Sequence, residues 1–270
     1  MRPAIPRALL WAAIPLVAIL ELALQWRIPG GDPAESDWRA AATAIAREKG
    51  PRDLVVIAPT WAVHGRVHLG GLIGPRDMGR FDTTRYGGLF EVSLRGARSA
   101  ESAGLRAESE RRFGALHLRR YRLPPPAEVL HDLIDGIDNC TLEGAKPRSA
   151  RFLVDHSFGT RLAIPLPVSK RPVALSCPDI PAGSVLHGHA MIGRIDYRSH
   201  RLPSGSPVRL SFSFDGVAAG DLSVENLAPP VPFEIALPGR GAGVLRVEIA
   251  ARDGFDRTLG FAADVRRGGR

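Results

Sequence analysis

Polar side chains that could bind a ligand are concentrated between Trp61 and Arg80, directly after a strongly apolar stretch. Guanidinium and imidazole groups bind anions and sugar hydroxyls, and an indole adds a flat apolar face. We therefore predict a ligand-binding loop here, without assigning a catalytic residue. Its candidate ligand-binding residues are Trp61, His64, Arg66, His68, Arg76, Asp77 and Arg80.

The two histidines of this loop have the spacing of a zinc pair. His64 and His68 are four residues apart, as on one face of a metal-binding helix. Gly65 stands where the HExxH motif has its glutamate, and Gly70 and Gly71 disfavour a firm helix. We predict hydrogen-bonded loop histidines here, and no metal site.

A second pair of histidines, His187 and His189, lies on one face of a predicted strand. Two imidazoles without a third ligand make a weak metal site, because Asp196 could join them only through the fold. Structural or surface roles are favoured for both histidines. No cofactor is predicted for the chain.

Motifs of nucleotide-binding and acyl-transfer enzymes are missing from the sequence. It contains no Gly-x-Ser-x-Gly elbow, no Gly-Lys-Ser/Thr loop and no GxGxxG after a strand. Asp135 and Asp138 are close in sequence, but glycoside hydrolysis depends on a separation in space that sequence spacing does not show.

An amphipathic helix and a buried strand precede the loop and form an α/β unit. Ser36 or Asp37 can cap the helix, and Gly50-Pro51 ends it. The stretch Asp53–Pro59 is continuously apolar, as in a strand that is covered on both faces. The helix presents its apolar face through Trp38, Ala41, Ala42 and Ile45.

A small α/β lobe is predicted over residues 32–123. Leu89–Leu94 and Ala115–Leu123 alternate like strands, and Glu101–Arg112 has a helical pattern. Pro124–Pro126 then ends the lobe.

The C-terminal region, 135–270, is predicted to be an all-β sandwich resembling a jelly roll. Ala127–Asp135 precedes it as a short helix or an extended connector. Asp215-Gly216 is a hairpin turn after a strand that points Leu210, Phe212 and Phe214 inward. Short strands between turn residues support the sandwich: Arg151–Val154, Arg161–Ile164, Val173–Ser176, Val185–Tyr197, Val208–Phe214, Phe233–Leu237, Val244–Ala250 and Thr258–Val265.

The N-terminal residues 1–27 are predicted to be a cytoplasmic terminus followed by one transmembrane helix. The stretch Ala8–Leu20 is uncharged, and Arg2 and Arg7 precede it, which favours an uncleaved signal anchor in an inner membrane. A cleaved signal peptide is the alternative. Both place the bulk of the chain outside the cytoplasm, in the periplasm, where Cys140 and Cys177 are candidates for a disulfide.

The charge of the chain argues against nucleic acid as a partner. The formal net charge is +8. Its arginines are spread along the chain rather than collected in one basic run, as a nucleic-acid arm would have them.

The predicted lobe opens with Asp37-Trp38-Arg39, continues into the helix and reaches Asp53–Pro59, with Trp61 close behind. This pattern resembles the soluble extracytoplasmic tail of multi-spanning polyprenyl-phosphate-sugar glycosyltransferases. Those enzymes carry their catalytic aspartates in loops between many membrane helices, whereas one span is predicted here. The resemblance implies a non-catalytic accessory protein of the cell envelope that binds glycan or a membrane glycosyltransferase partner.

Two alternatives remain open. One is a glycan-acting hydrolase with its site in the Trp61–Arg80 loop. The other is a structural protein-interaction module. The C-terminal lobe has no tryptophan and a single tyrosine, Tyr197, which weighs against carbohydrate binding by that lobe.

Overall fold

A computed structural model describes residues 14–23, 33–60, 62, 65–143, 147–155, 157, 159–193, 205–253 and 257–267. The described residues form two compact units. The first unit draws on segments 1–48, 56–72 and 90–121, and the second on segments 49–55, 73–89 and 122–270. The domain bounds expected from the sequence, 32–123 and 135–270, stay a prediction.

The predicted amphipathic helix is present as α1, Glu35–Glu48, and it buries Trp38, Ala41 and Ile45. Its start differs in detail from the prediction. Asp37 lies within the first turn, where its Oδ2 accepts a hydrogen bond from the Ala34 backbone N–H at 3.2 Å. This bond is the reciprocal half of a capping box, so Asp37 supports the helix start from inside the helix.

Besides α1 and the helical residues 14–23, the helices in the described part of the chain are single turns. The α-helical turns are α2, Arg66–Leu69, and α3, Pro75–Met78. The 3-10 turns are Gly70–Leu72, Ala100–Ser102 and Ile137–Asn139.

A four-stranded sheet has the order β1–β2–β4–β3. Its strands are β1 Asp53–Ala58, β2 Gly88–Leu94, β3 Ser109–Phe113 and β4 Leu116–Arg122. Every residue of β2 is buried. The strands predicted in these three regions of the sequence, at β1, β2 and β4, are confirmed.

The helix predicted over Glu101–Arg112 is wrong. Ser102 is buried, and its hydroxyl donates a hydrogen bond to the buried carboxylate of Glu91, which holds the first residues in one 3-10 turn. The later residues pair with β4 as strand β3, through a turn at Gly114 with φ +55. The charged residues of the segment resembled a solvated helix, but cross-strand pairing decides its structure.

The second unit is a two-layer β-sandwich, which confirms the predicted sandwich. One sheet has the order β13–β10–β15–β8–β7 with β5 also paired to β15, and the other has the order β12–β11–β14–β9–β6. Its strands are β5 Val129–Asp132, β6 Thr141–Leu142, β7 Arg151–Val154, β8 Thr160–Val168, β9 Val173–Pro181, β10 Ser184–Gly193, β11 Val208–Phe214, β12 Val217–Val224, β13 Val231–Leu237, β14 Ala242–Ala251 and β15 Arg257–Arg267.

The eight strands from β8 to β15 pass between the two sheets in the pattern of a jelly roll, with β11 and β12 as a hairpin within one sheet. Strands in the order β13–β10–β15–β8 form one sheet, and strands in the order β12–β11–β14–β9 form the other. This double Greek-key arrangement brings distant segments together, so β10 lies between β13 and β15.

The core between the two sheets is apolar and aromatic. Phe212 of β11 packs against Phe233 of β13 with ring centroids 5.2 Å apart, and Phe233 stacks on Phe261 at 5.7 Å. The inward orientation predicted for Leu210, Phe212 and Phe214 is confirmed, since all three are buried.

The predicted hairpin at Asp215-Gly216 is confirmed as well. Phe214 pairs with Val217 across the turn, and both turn residues have positive φ, +49 and +78. Two positive φ values in a two-residue loop match the right-handed twist of the flanking strands.

In the connector Ala127–Asp135, Val129–Asp132 are extended as β5 beside β15, and residues 133–135 form a turn. Cys140, just beyond it, forms a disulfide with Cys177 of β9, as predicted from the cysteine count and the expected compartment. Both cysteines are buried.

The predicted membrane anchor, 1–27, lies outside the described residues except for 14–23, which are helical. Within the part of the chain that the structure describes, no helix has the length and apolarity that a bilayer crossing requires.

Candidate functional site

A pocket lies on the outer face of the six-stranded sheet. Its volume is about 520 Å³ when the open solvent at its mouth is included. Its floor comes from β10, β15 and β5, and residues 76–86 form its other wall. Along β10, buried Leu186 and Ala190 point into the sandwich, so His187 and His189 point outward into the pocket.

Segment 76–86 is held close to the sheet by a glycine. The backbone N–H of Leu162 in β8 donates to the carbonyl of Gly79 at 2.8 Å. A Cβ on Gly79 would lie 2.4 Å from that nitrogen, so only glycine permits this approach.

Polar residues cross the floor in one row. His187 of β10 is the register partner of Asp264 of β15, and Asp264 is the register partner of Asp132 of β5. All three side chains therefore occupy the same face of the sheet, on three neighbouring strands.

Guanidinium groups balance the two carboxylates of this row. Arg85 contacts Asp132 through Nη2 and lies 3.5 Å from Asp264 Oδ2 through Nε. Arg76 Nη1 lies 2.9 Å from Asp132 Oδ2, and Arg266 pairs with Asp264. Each carboxylate is thus contacted by two arginines.

Two polar atoms of this network are fully buried. They are Arg76 Nη2 and Asp132 Oδ2. Both are engaged in ion pairs, since Arg76 Nη2 is 2.5 Å from Asp135 Oδ1 and Asp132 Oδ2 is 2.9 Å from Arg76 Nη1. These ion pairs compensate the charges of the two buried atoms.

Asp82 faces both pocket histidines. Its Oδ2 lies 3.6 Å from His187 Nε2 and 3.9 Å from His189 Nδ1. Burial works to raise the pKa of Asp82, but two hydrogen bonds from Thr84 and the nearby imidazoles outweigh it and lower that pKa. Asp82 is therefore an ionised acceptor at neutral pH.

The two imidazoles are neutral at the same pH. Burial lowers the pKa of His189 to about 4, against the opposing field of Asp82. Burial and the charge of Arg266 lower the pKa of His187. Each neutral ring offers one donor and one acceptor nitrogen.

Two aromatic rings complete the pocket. Phe81 stacks on His189 with centroids 5.0 Å apart and an interplanar angle of 12°, and the Arg161 guanidinium lies 5.6 Å from the Phe81 ring centre. Tyr86 Oη donates a hydrogen bond to Asp77 Oδ1 at 2.8 Å. Burial and Asp77 raise the pKa of Tyr86, so its hydroxyl stays protonated.

The described residues among those predicted for the Trp61–Arg80 loop are divided between the two units. Trp61 and His64 lie outside the described residues. Arg66 and His68 belong to the first unit, where His68 stacks on Trp38 at a centroid distance of 6.2 Å.

The other three predicted residues belong to the second unit. Arg76 and Arg80 line the pocket, while Asp77 holds Tyr86. The assignment of these residues to ligand binding stays a prediction.

Several pocket residues were outside the predicted set. His187 and His189 were recognised as a pair on one strand face, and among the described residues their acidic partner is Asp82. Asp196 lies outside the described residues. Among the described residues, no group of three or more His, Cys, Asp or Glu side chains is arranged to hold a metal ion. The residues that sequence reasoning missed are Phe81, Asp82, Arg85, Asp132, Asp264 and Arg266.

One signal in the sequence pointed to part of this set. Asp264 and Arg266 alternate with apolar residues in the last strand, which marks a polar outer face. No local pattern links them to Asp132 or Asp82, because strand order brings these residues together.

No protein-family model matches this chain, and no curated protein matches its sequence. The resemblance to the tails of polyprenyl-phosphate-sugar glycosyltransferases accordingly stays a prediction.

Solved structures of carbohydrate-binding modules show weak similarity. The tandem CBM51 modules of a family 98 glycoside hydrolase from Streptococcus pneumoniae SP3-BS71 align with a TM-score of 0.34 and 9% identity, over 58% of this chain and 56% of that chain. CBM51-2 with its INT domains from Clostridium perfringens ZmpB, in complex with GlcNAc, aligns with a TM-score of 0.35 and 11% identity, over 57% of this chain and 34% of that chain.

A third structure is the CBM36-1 domain of a multidomain xylanase from the hindgut metagenome of Trinervitermes trinervoides. It aligns with a TM-score of 0.29 and 10% identity, over 49% of this chain and 99% of that domain. The chain spans about half the length of the first structure and about a third of the second. TM-scores below 0.5 do not establish a shared fold, so the function proposed below rests on the pocket.

Proposed function

We propose that this chain is a non-catalytic glycan-binding protein of the cell envelope, with its ligand site in the pocket on the sandwich. The observation that carries the proposal is the cluster of Asp82, His187 and His189 beside the Phe81 ring. Asp82 Oδ2 lies 3.6 Å from His187 Nε2 and 3.9 Å from His189 Nδ1, and Phe81 stacks on His189. A carboxylate and neutral imidazoles can pair with sugar hydroxyls, because each hydroxyl both donates and accepts.

This cluster offers both hydrogen-bond donors and acceptors. Ionised Asp82 supplies acceptors, and the neutral rings of His187 and His189 supply both donors and acceptors. A sugar presents several hydroxyls at short spacing, each of which donates and accepts. The partly buried Phe81 side chain, which lines the pocket, adds apolar surface for the C–H groups of such a ring.

The protonation states favour binding over hydrolysis. A glycosidase needs a carboxylic acid whose pKa is raised so that it can protonate the leaving group. The pKa of Asp82 is lowered instead, and Asp132 and Asp264 are each contacted by two guanidiniums. These observations support a binding site, and the hydrolase alternative stays a prediction.

The disulfide supports an extracytoplasmic location. Disulfides persist in oxidising compartments, and Cys140 and Cys177 are bonded. We infer that residues 1–27 anchor the chain in an inner membrane and leave the sandwich in the periplasm. There it would engage envelope glycan, alone or beside a membrane glycosyltransferase partner.

Binding of the full-length protein to immobilised glycans tests the proposal. The detergent should lack a sugar headgroup, so that it does not compete for the site. We expect specific binding that falls at least about tenfold in Asp82→Asn, because a charged acceptor is lost. Asp221→Asn is the matched control, since Asp221 is an exposed aspartate on the other sheet.

Two results would overturn the proposal. One is the absence of binding to any glycan on the array. The other is equal binding by the parent protein and Asp82→Asn, which would place the glycan site elsewhere on the chain.

A further inference from the structure

We infer that Arg161, which lies outside the set of residues that line the pocket, is a positioning residue of the proposed glycan site. It fixes the ring of Phe81 and, through that ring, the imidazole of His189. This inference rests on the proposed function and adds to it a residue that acts on the site without contact to the ligand.

The guanidinium of Arg161 is itself held in place by a buried carboxylate. Its Nε lies 3.1 Å from Oδ2 of Asp155, which is buried in the turn between β7 and β8. Oδ1 of Asp155 accepts hydrogen bonds from the backbone N–H groups of Ser157 and Gly159, at 2.9 and 2.7 Å. The turn therefore fixes the carboxylate, and the carboxylate fixes the guanidinium through a charge-assisted bond.

Arg161 holds two consecutive residues of the segment that covers the sheet. Its Nη1 donates a hydrogen bond to the backbone carbonyl of Arg80, and its guanidinium carbon lies 5.6 Å from the centre of the Phe81 ring. A planar guanidinium suits both contacts, because it can lie over an aromatic face while it donates hydrogen bonds. Since the next residue, Leu162, binds the backbone of Gly79, strand β8 contacts three successive residues of the segment.

Phe81 transmits this constraint to the pocket. Its ring stacks on the imidazole of His189 with centroids 5.0 Å apart. The ring also packs against a small apolar cluster that includes Leu153 and Met191. Apolar packing is non-directional, so the orientation of the ring depends on the guanidinium and the imidazole that lie over it.

Arg161 also acts on the protonation of His189. Burial is the main cause of the lowered pKa of this imidazole, and the carboxylate of Asp82 opposes it. The neighbouring His187 and the charges of Arg161 and Arg266 lower the pKa further. Arg161 therefore helps to keep His189 in the neutral form, which has one donor and one acceptor nitrogen for a sugar hydroxyl.

A double-mutant cycle tests whether Arg161 acts through Phe81. Full-length variants are titrated by calorimetry with the oligosaccharide that the parent protein binds most tightly among the immobilised glycans. We expect Arg161→Gln and Phe81→Leu each to weaken binding about tenfold, and the double variant to bind about as well as either single variant. Arg161→Lys should recover little of the affinity, because lysine keeps the charge but not the planar donors.

An NMR titration of His189 provides a second readout, which needs no ligand. The pKa of His189 should rise in Arg161→Gln, because a nearby positive charge is lost, and it should stay near the parent value in Arg161→Lys. Arg246→Gln is the control, since Arg246 is an exposed arginine of β14 in the other sheet, and it should change neither the affinity nor this pKa. Thermal melting of each variant shows whether its fold is retained.

The outcomes separate this inference from the proposed function. Parent-like affinity in Arg161→Gln, or additive losses in the double variant, overturns the positioning role and leaves glycan binding intact. An unchanged pKa of His189 in Arg161→Gln overturns the coupling of Arg161 to this imidazole. Absence of binding by the parent to any glycan overturns the proposed function, and the role of Arg161 in binding with it.

Discussion

Asp132 and Asp264 are register partners on neighbouring antiparallel strands, so two carboxylates stand side by side on the pocket floor. Like charges directly opposite each other destabilise a sheet. Arg85 contacts both side chains and comes from the segment that covers the sheet. The ion pairs of the pocket therefore also hold its two walls together.

Removal of Arg85 should expose this repulsion. We expect Arg85→Gln to lower the free energy of unfolding by about 1–3 kcal/mol, because two buried carboxylates lose a shared partner. Adding Asp132→Asn should recover part of the loss, since one negative charge is then gone. Urea unfolding followed by circular dichroism measures both effects. An Arg85→Gln protein as stable as the parent would contradict the role given to Arg85.

The buried histidines should make stability depend on pH. The pKa of His189 is lowered from 6.5 to about 4 in the folded protein. Between these values the unfolded chain binds more protons, so stability falls as the pH drops from 6.5 towards 4. At 1.36 kcal/mol per pKa unit, His189 contributes at most about 3 kcal/mol to this fall.

His189→Gln tests this origin of the pH dependence. Glutamine keeps a polar group at the position but cannot be protonated in this range. We expect urea titrations at pH 7.5 and 4.5 to differ less for the variant than for the parent. The lowered pKa of Asp82 acts only below its ordinary value of 3.8, outside this window. An unchanged difference between the two pH values would argue against His189 as the source.

The disulfide should contribute strongly to the stability of the sandwich. Cys140 and Cys177 are 37 residues apart, and closing a loop of this length in the unfolded chain corresponds to about 4 kcal/mol in the chain-entropy description. The double variant Cys140→Ala/Cys177→Ala should lose stability on this scale. Reductant should destabilise the parent and leave the double variant unchanged, and a parent insensitive to reductant would contradict the prediction.

Gly188 should be required between the two pocket histidines. It points into the sandwich, where a Cβ would lie 2.5 Å from the carbonyl oxygen of Ala262 and 2.5 Å from Cζ of Phe233. We expect Gly188→Ala to cost about 1–3 kcal/mol through overpacking and to shift the strand that carries both imidazoles. Gly71→Ala is the control, because a Cβ there meets open space. Thermal melting and glycan titration of both variants provide the measurement.

Much of the local structure could be predicted from the sequence. Trp38, Ala41 and Ile45 recur with the period of a helix, and they form the buried side of α1. Leu210, Phe212 and Phe214 alternate with polar residues, and they form the buried side of β11. These patterns depend on neighbours in the chain, which the sequence displays directly. The segment Glu101–Arg112 was the exception, because pairing with β4 and the bond between Ser102 and Glu91 override its local pattern.

The candidate site was only partly visible in the sequence. The strand alternation at His187 and His189 predicted their common face, and the polar stretch to Arg80 included two of the arginines that line the pocket. The partners of these residues come from positions far away in the chain. Asp82 and Asp132 showed no local signal, since a lone aspartate near a turn is usually solvated.

The sequence by itself determined the elements, the inward faces of the long strands, and the pairing of the only two cysteines. The tertiary structure alone decided that His187, Asp264 and Asp132 form one row and that Arg85 reaches across two of them. The physical reason is the strand order. In a jelly roll, neighbours in a sheet are distant in the chain, and side-chain alternation fixes the face a residue occupies but not the residue beside it.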